Sequence, residues 1–493
     1  MKSMFKKTAA CALILTLILS MAACGKKETA SEHQEGQVVV NIDWPVYVDP
    51  GVASKDADMM AAVNMYDSLT FPNNDGTISP LVAESWESDS GRVYTFYLRD
   101  DVLFHSGNKL TAEDVKFTMD RMLAMGEGLA YLYHGVVSST EVLDEHTVKF
   151  TLNEPSGTFP TALTRLYILD SALVKENIDP SGSYGEFGDY GKAWLTTNDA
   201  GSGPYKIKEM RTEEYVLMEQ SDNYWREIDE NAPKEAKLLG GVVTSTMKTM
   251  VSRGELDVTD TAQTPETLDS MVEKGGASLV RVLNGGNFNI SLNTQLAPTD
   301  DVHFRRAMAY ALDYDTVNND IYVGSIKPTG PIISGMASAL SEDENPYKYD
   351  IDKAMEELKQ SPYYDQLVSG EMKVNLSYCT EGGEQQEKLA LLMQAGMSQL
   401  GVTVEITGKP FATMTDASTV ESTPNASFVS FNPAYADGGP ALKPRYHSSS
   451  CGTWEQMEWL QDSEIDKLIE EAMATVDEDS RNEKYKAIET NNG

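Results

Sequence analysis

Apolar residues change period repeatedly along the chain, and the change predicts strands alternating with helices. Val38-Val39-Val40-Asn41-Ile42 is a short apolar run of the kind that a buried strand needs. From Ala57 to Leu69 the apolar positions recur at helical spacing, and the turn Pro72-Asn73-Asn74-Asp75-Gly76 follows. Val93 to Leu98 is rich in β-branched and aromatic residues and predicts a strand. Thr111-Ala112-Glu113-Asp114 then opens a helix: Thr111 caps it, the acids suit its dipole, and Val115, Phe117, Met119 and Met122 supply its apolar face. The alternation runs on to an amphipathic helix from Asp462 to Met473 and the start of another at Ser480 to Ile488. There is no internal repeat and no low-complexity segment. Lys2, Lys6 and Lys7 precede an apolar run from Thr8 to Ala23 that is too short for a bilayer core of about 30 Å and reads as a secretory signal. With no second such run, the pattern predicts a multi-lobed α/β protein outside the membrane.

Composition narrows the function classes. The 493 residues suffice for roughly three compact units. Asp plus Glu is 76 against 40 for Lys plus Arg, a net charge of −36, which excludes a nucleic-acid partner that needs a dense cationic surface. Six His and four Cys, with no CxxC, HxxH or HExxH, leave no material for a dedicated metal cage, so neither metal nor cofactor is expected. Cys379 and Cys451 are left as one disulfide or two buried thiols.

Met21-Ala22-Ala23-Cys24-Gly25 resembles a bacterial lipobox, with Cys24 as the lipidated first residue of the mature chain and residues 24–36 as a solvated tether; an ordinary signal cleavage near Ala23 is the alternative. From Tyr66 to Arg121, the stretches Tyr66-Asp67-Ser68-Leu69, Pro80-Leu81-Val82-Ala83-Glu84-Ser85-Trp86, Phe104-His105-Ser106-Gly107 and Leu110-Thr111-Ala112-Glu113-Asp114-Val115 follow in order. Gly201-Ser202-Gly203-Pro204-Tyr205, Arg305 to Asp313 and Gln399-Leu400-Gly401-Val402 come later. Together they resemble the bacterial extracellular solute-binding proteins of family 5, the peptide and nickel group that serves ATP-binding-cassette (ABC) importers. The resemblance implies an α/β, two-lobed periplasmic-binding-protein-like (Venus flytrap) fold. Lobe I would span 37–285, with a subdomain inserted at about 50–190, and lobe II 286–493. It also implies a monomeric, lipid-anchored receptor on the extracytoplasmic face of the cell membrane, with no catalytic residues. Such a receptor encloses a peptide or other small polar solute between its lobes and passes it to an ABC permease. Relatives continue for some tens of residues beyond the helix begun at Ser480, so a return segment to lobe I is expected to be missing. A secreted hydrolase using an Asp/Glu pair is the alternative from another class, and nickel-chelate capture a further one.

The motifs of the resemblance have structural explanations, and His105 is expected to be hydrogen-bonded rather than a ligand. The pocket is sought elsewhere. In peptide-binding relatives a Trp at a lobe II strand end is followed three residues later by an Asp for the peptide's amino group. Here Phe431 stands at the Trp position and Ala434 at that of the Asp, within Phe431-Asn432-Pro433-Ala434-Tyr435-Ala436-Asp437. Where dipeptide binders place a carboxylate-binding Arg, the chain has Glu381 and Glu384, so zwitterionic dipeptides are expected to bind poorly. The stretch from Tyr435 to Trp454 is read as a loop carrying binding groups. The candidate ligand contacts are Trp44, Tyr47, Phe431, Asn432, Tyr435, Asp437, Arg445, Tyr446 and Trp454.

Overall fold

The computed structural model describes residues 36–42, 44, 47–260, 263–282, 285–341, 347–416 and 418–491. The expected signal segment, Cys24 and most of the tether lie outside them. The chain forms two compact units. One combines the described residues up to Trp44 with Tyr205–Gln220 and Ile228–Leu279; the other takes Tyr47–Pro204, Ser221–Glu227 and the chain from Val280 onward.

The first strand, β1 (Gln37–Ile42), belongs to the first unit. The chain then enters the second unit through α1 (Asp56–Met65), the hairpin of β2 (Thr70–Pro72) and β3 (Ile78–Pro80), and the strands β4 (Ala83–Glu87) and β5 (Val93–Leu98). Helix α2 (Ala112–Met125) and strands β6 (Val137–Asp144) and β7 (Thr147–Leu152) follow, and β4, β5, β7 and β6 hydrogen-bond in that order as an antiparallel sheet. Period-two alternation puts Tyr94, Phe96, Val148 and Phe150 on the inner face, where Phe96 and Phe150 meet edge to face at 5.8 Å. Thr111 and Asp114 form the capping box that the sequence predicts for α2. On the same helix Arg121, buried, makes a two-pronged ion pair with Asp49 at 2.9 and 2.5 Å, which ties the segment before α1 to α2.

The chain returns to the first unit for β8 (Tyr205–Arg211), β9 (Tyr215–Gln220) and β10 (Glu235–Gly240), which complete a sheet ordered β1-β10-β9-β8. Helices α3 (Thr244–Arg253) and α4 (Pro265–Gly275) pack there, with Met247 and Met271 against Val39.

The remaining chain lies in the second unit and builds β11 (Asn287–Leu292), α5 (Val302–Ala311), α6 (Ile351–Leu358), β12 (Val374–Cys379), α7 (Gly383–Gln399), β13 (Val404–Lys409) and α8 (Phe411–Thr415). It ends with β14 (Ala426–Phe431), α9 (Gly438–Tyr446), α10 (Ser463–Ala474) and α11 (Glu478–Asn491). The sheet order is β11-β14-β12-β13, in which β14, β12 and β13 are mutually parallel and β11 is antiparallel. Helices α5 and α7 share the core of this sheet and pack closely on each other: a Cβ on Gly396 would sit 2.1 Å from the Ala311 carbonyl, so only glycine permits the approach. Cys379 and Cys451 are free thiols.

The sequence reading of Tyr435 to Trp454 as a loop is corrected, because α9 forms inside it. Asp437 caps α9 by accepting the Gly439 N–H at 2.8 Å, and its carboxylate also takes Arg481 Nε at 3.1 Å.

The motif residues are scaffold. His105 faces two acceptors, Asp199 at 2.5 Å and the Gly203 carbonyl at 2.9 Å, so both ring nitrogens are engaged. Asp67, buried, accepts from Trp225 Nε1 at 3.0 Å and Ser202 Oγ at 3.1 Å, yet burial pushes its carboxyl up from 3.8 to about 6. The folded protein therefore holds this proton where the unfolded chain has released it. Stability falls as pH rises from about 4 to about 6, by about 3 kcal/mol from this group alone. Asp67→Asn, whose amide oxygen can still accept both bonds, should flatten that slope in urea titrations across the window; an unchanged slope contradicts the assignment.

Candidate binding edge at the carboxyl ends of the parallel strands

Open α/β sheets bind ligands outside the carboxyl ends of their parallel strands, where side chains emerge from a rigid frame. In the second unit β12 ends at Cys379, β13 at Lys409 and β14 at Phe431. The turn after β12 carries Glu381, whose carboxylate accepts the Phe411 N–H at 3.0 Å and thereby caps α8. Phe411, 46% exposed, is thus fixed at the edge. Trp454 packs between the strand ends, 5.5 Å from the Phe411 ring and 6.5 Å from Phe431. The three rings make an aromatic wall.

Arg445 fixes the wall from behind. On α9 and buried, it donates to Asn289 Oδ1 and Ser291 Oγ of β11, each at 3.0 Å, and pairs with Glu458. Its guanidinium carbon lies 5.8 Å from the Phe431 ring centre. A second bracket holds the loop 432–437: Arg165 Nε donates to the Ala434 carbonyl at 2.7 Å, and the Tyr435 hydroxyl meets Thr158 Oγ1 at 3.2 Å. Tyr131, 63% exposed, lies within electrostatic reach of both Arg165 and Glu455. Burial raises the Glu455 carboxyl above its ordinary range, and the neighbouring Arg445 charge opposes the shift.

The structure therefore brings Phe431, Tyr435, Arg445 and Trp454 together and gives them different tasks. Trp454 presents a half-buried ring, and Phe431, buried, backs it. Asp437 and Tyr435 spend their polar atoms on the chain itself, as Arg445 does its two terminal nitrogens, and Tyr446 packs beside Leu442 and Ile469, its phenol pushed up to about 12 by burial. Asn432 is exposed beside Gly286. Trp44 belongs to the first unit, packed on Gly240, and Tyr47 to the second, its N–H donating to Asp58 at 3.1 Å. Glu384 pairs with Lys388 on the exposed side of α7. Sequence reasoning missed Phe411, Tyr131, Arg165 and Glu455. An aromatic residue just after β13 was the one signal available, for Phe411.

A recess of about 240 Å³ in the same unit is lined by Trp86, Tyr94, Thr161, Asp437 and Arg481 among others. Of its lining charges Asp437 pairs with Arg481 and Glu87 accepts the Tyr97 hydroxyl at 2.7 Å, while Asp75 and Glu478 add two further acids. Among the described residues no three His, Cys, Asp or Glu side chains converge as a metal site, and no helix is long and apolar enough to cross a membrane.

A family profile described as bacterial extracellular solute-binding proteins, family 5 (middle region), matches residues 77–452. The chain belongs to that family. As a family 5 protein it is a solute-binding receptor of an ABC importer, and the hydrolase and nickel alternatives are not favoured. Among its relatives, the probable D,D-dipeptide-binding periplasmic protein DdpA of Escherichia coli K12 is 26% identical over 450 residues, covering 90% of this chain and 83% of its own. The dipeptide-binding protein DppE of Bacillus subtilis 168 is 24% identical, covering 97% and 90%. The crystal structure of the ABC transporter substrate-binding protein CtaP from Listeria monocytogenes superposes with a TM-score of 0.77 at 21% identity, over 92% of this chain and 89% of that one. The α/β periplasmic-binding-protein fold expected from the sequence is the fold found.

The bracket behind the wall gives a direct test. Arg445→Ala leaves Glu458 buried without its counter-charge and should destabilise the protein by about 3–5 kcal/mol in urea denaturation. Adding Glu458→Gln should restore part of the loss. A single Arg445→Ala substitution that costs under about 1 kcal/mol contradicts the bracket.

Proposed function

We propose that the family 5 chain captures a peptide or a similar small polar solute on the aromatic edge formed by Phe411, Phe431 and Trp454. Lobe I, taken as 37–285, closes on lobe II, taken as 286–493, with Tyr131 and Arg165 facing the wall. The observation that carries the reading is the exposed Phe411 ring packed on the half-buried Trp454 at the carboxyl ends of three parallel strands, backed by the buried Phe431 and by Arg445, which donates to Asn289 and Ser291. A solute that touches both faces stabilises the closed form by the difference in its affinity for the two states, and no covalent step is needed. Peptide-binding relatives support the solute class. Trp454 stacks on the solute, Asn432 offers its amide, and Arg165 provides a guanidinium for a carboxylate. Trp44 and Tyr47 are proposed as further contacts at the entry. Cys24, lipidated, tethers the receptor to the extracytoplasmic face of the membrane beside its permease, and the receptor acts as a monomer.

Native mass spectrometry of the purified receptor identifies a retained solute, and calorimetry then measures its return to the emptied protein. Phe411→Ala, at an exposed ring, should lower that affinity at least about tenfold while the melting temperature stays near that of the parent. Unchanged affinity in both Phe411→Ala and Trp454→Ala places the solute elsewhere.

A further inference from the structure

The recess beside Trp86 holds polar groups that the scaffold does not use. Thr161, Ser338 and Arg481 line it and are 5%, 1% and 5% exposed, so the fold has drawn all three out of bulk water. Arg481 gives Nε to Asp437 at 3.1 Å and Nη1 to the Thr475 and Val476 carbonyls at 3.0 and 3.1 Å. Its Nη2 and the hydroxyls of Thr161 and Ser338 make no hydrogen bond among the described residues, yet none of these three atoms is sealed from open space. Buried polar groups without a partner cost free energy until something in the cavity pairs with them. At about 240 Å³ the recess has more than ten times the roughly 10–15 Å³ that one water needs, so it has room for a molecule.

The lining defines the occupant. Ile78, Pro160 and Met336 are apolar and Trp86 and Tyr94 add aromatic carbon, a surface for C–H groups. The buried charge is balanced, Arg481 against Asp437, so an anion gains little inside and meets the exposed acids Asp75, Glu87 and Glu478 on the way. A cation suits those acids but, being a donor itself, cannot take the Nη2 hydrogen. A neutral polyhydroxy molecule meets every requirement. Its oxygens accept from Arg481 Nη2, Thr161 and Ser338, its hydroxyl hydrogens go to the exposed carboxylates, and its C–H faces pack on the apolar lining. We propose that the recess is a second binding site, for a neutral monosaccharide. None of its lining residues is Phe411, Phe431 or Trp454, so the site does not depend on the aromatic edge.

Saturation-transfer NMR of the purified receptor with D-glucose, D-galactose, D-mannose and N-acetyl-D-glucosamine, then calorimetry with the sugar that responds most, tests the site. At least one sugar should bind with a Kd below about 1 mM. Thr161→Val combined with Ser338→Ala removes two hydroxyl partners and should weaken that sugar at least about tenfold, while Phe411→Ala leaves its affinity unchanged. Because neither hydroxyl bonds to the chain, the double variant should melt within about 2 °C of the parent. A larger fall means that the fold itself uses those hydroxyls, and it overturns the proposal. So does the absence of binding by all four sugars, an undiminished affinity in the double variant, or a loss in Phe411→Ala alone, which would move the sugar to the strand edge. Inorganic phosphate binding more tightly than every sugar would overturn the neutral class. The aromatic edge stands or falls separately, on the affinities of Phe411→Ala and Trp454→Ala for the retained solute.

Discussion

The proposed binding edge depends on a buried guanidinium. Arg445 reaches from α9 to two side chains of β11 and to Glu458, so one residue joins a helix, the sheet and the segment that carries Trp454 and Glu455. A buried charge of this kind adds little net stability over an apolar replacement, but it is directional: only one arrangement of α9 and the 454–459 segment satisfies it. That directionality turns Phe431 and Trp454 into a fixed wall. The pair of Asp437 and Arg481 does the same for the start of α9, where one carboxylate caps the helix and receives the arginine of α11. Rings held this way need little reordering when a solute arrives, which favours affinity.

The charge balance of the chain fits this division of labour. With 76 acids and 40 basic residues, most carboxylates are solvated or take backbone N–H groups, as Asp114 does at the start of α2 and Glu381 does for α8. The buried arginines are paired: Arg121 with Asp49, Arg445 with Glu458 and Arg481 with Asp437.

Much of the scaffold was legible in the sequence because local chemistry determines it. Thr111 and Asp114 announce a capping box three residues apart, Val93 to Leu98 alternates as a strand must, and the run from Val38 to Ile42 pairs as a buried strand. The family motif residues Asp67 and His105 were read as structural, and their partners, Trp225, Ser202, Asp199 and Gly203, lie 94 or more positions away in sequence. Two aromatic residues of the proposed site stood out in the sequence too, since Phe431 ends a strand and Trp454 is a large ring in a polar stretch. The roles of the charged residues were not. Arg445 and Asp437 resembled ligand contacts because sequence does not reveal which charges are already spent, and Asn289, Glu458 and Arg481 spend them only once the chain is folded. The helix α9 was missed because Pro440 and Pro444 and two glycines disguise a segment that the Asp437 cap starts.

The solute is proposed to rest at the carboxyl ends of β12, β13 and β14. The most direct test is a crystal structure of the receptor with its co-purified solute. Solute atoms are expected in van der Waals contact with the rings of Phe411 and Trp454. Solute found in the recess beside Trp86 and Arg481, with the strand edge empty, would contradict this.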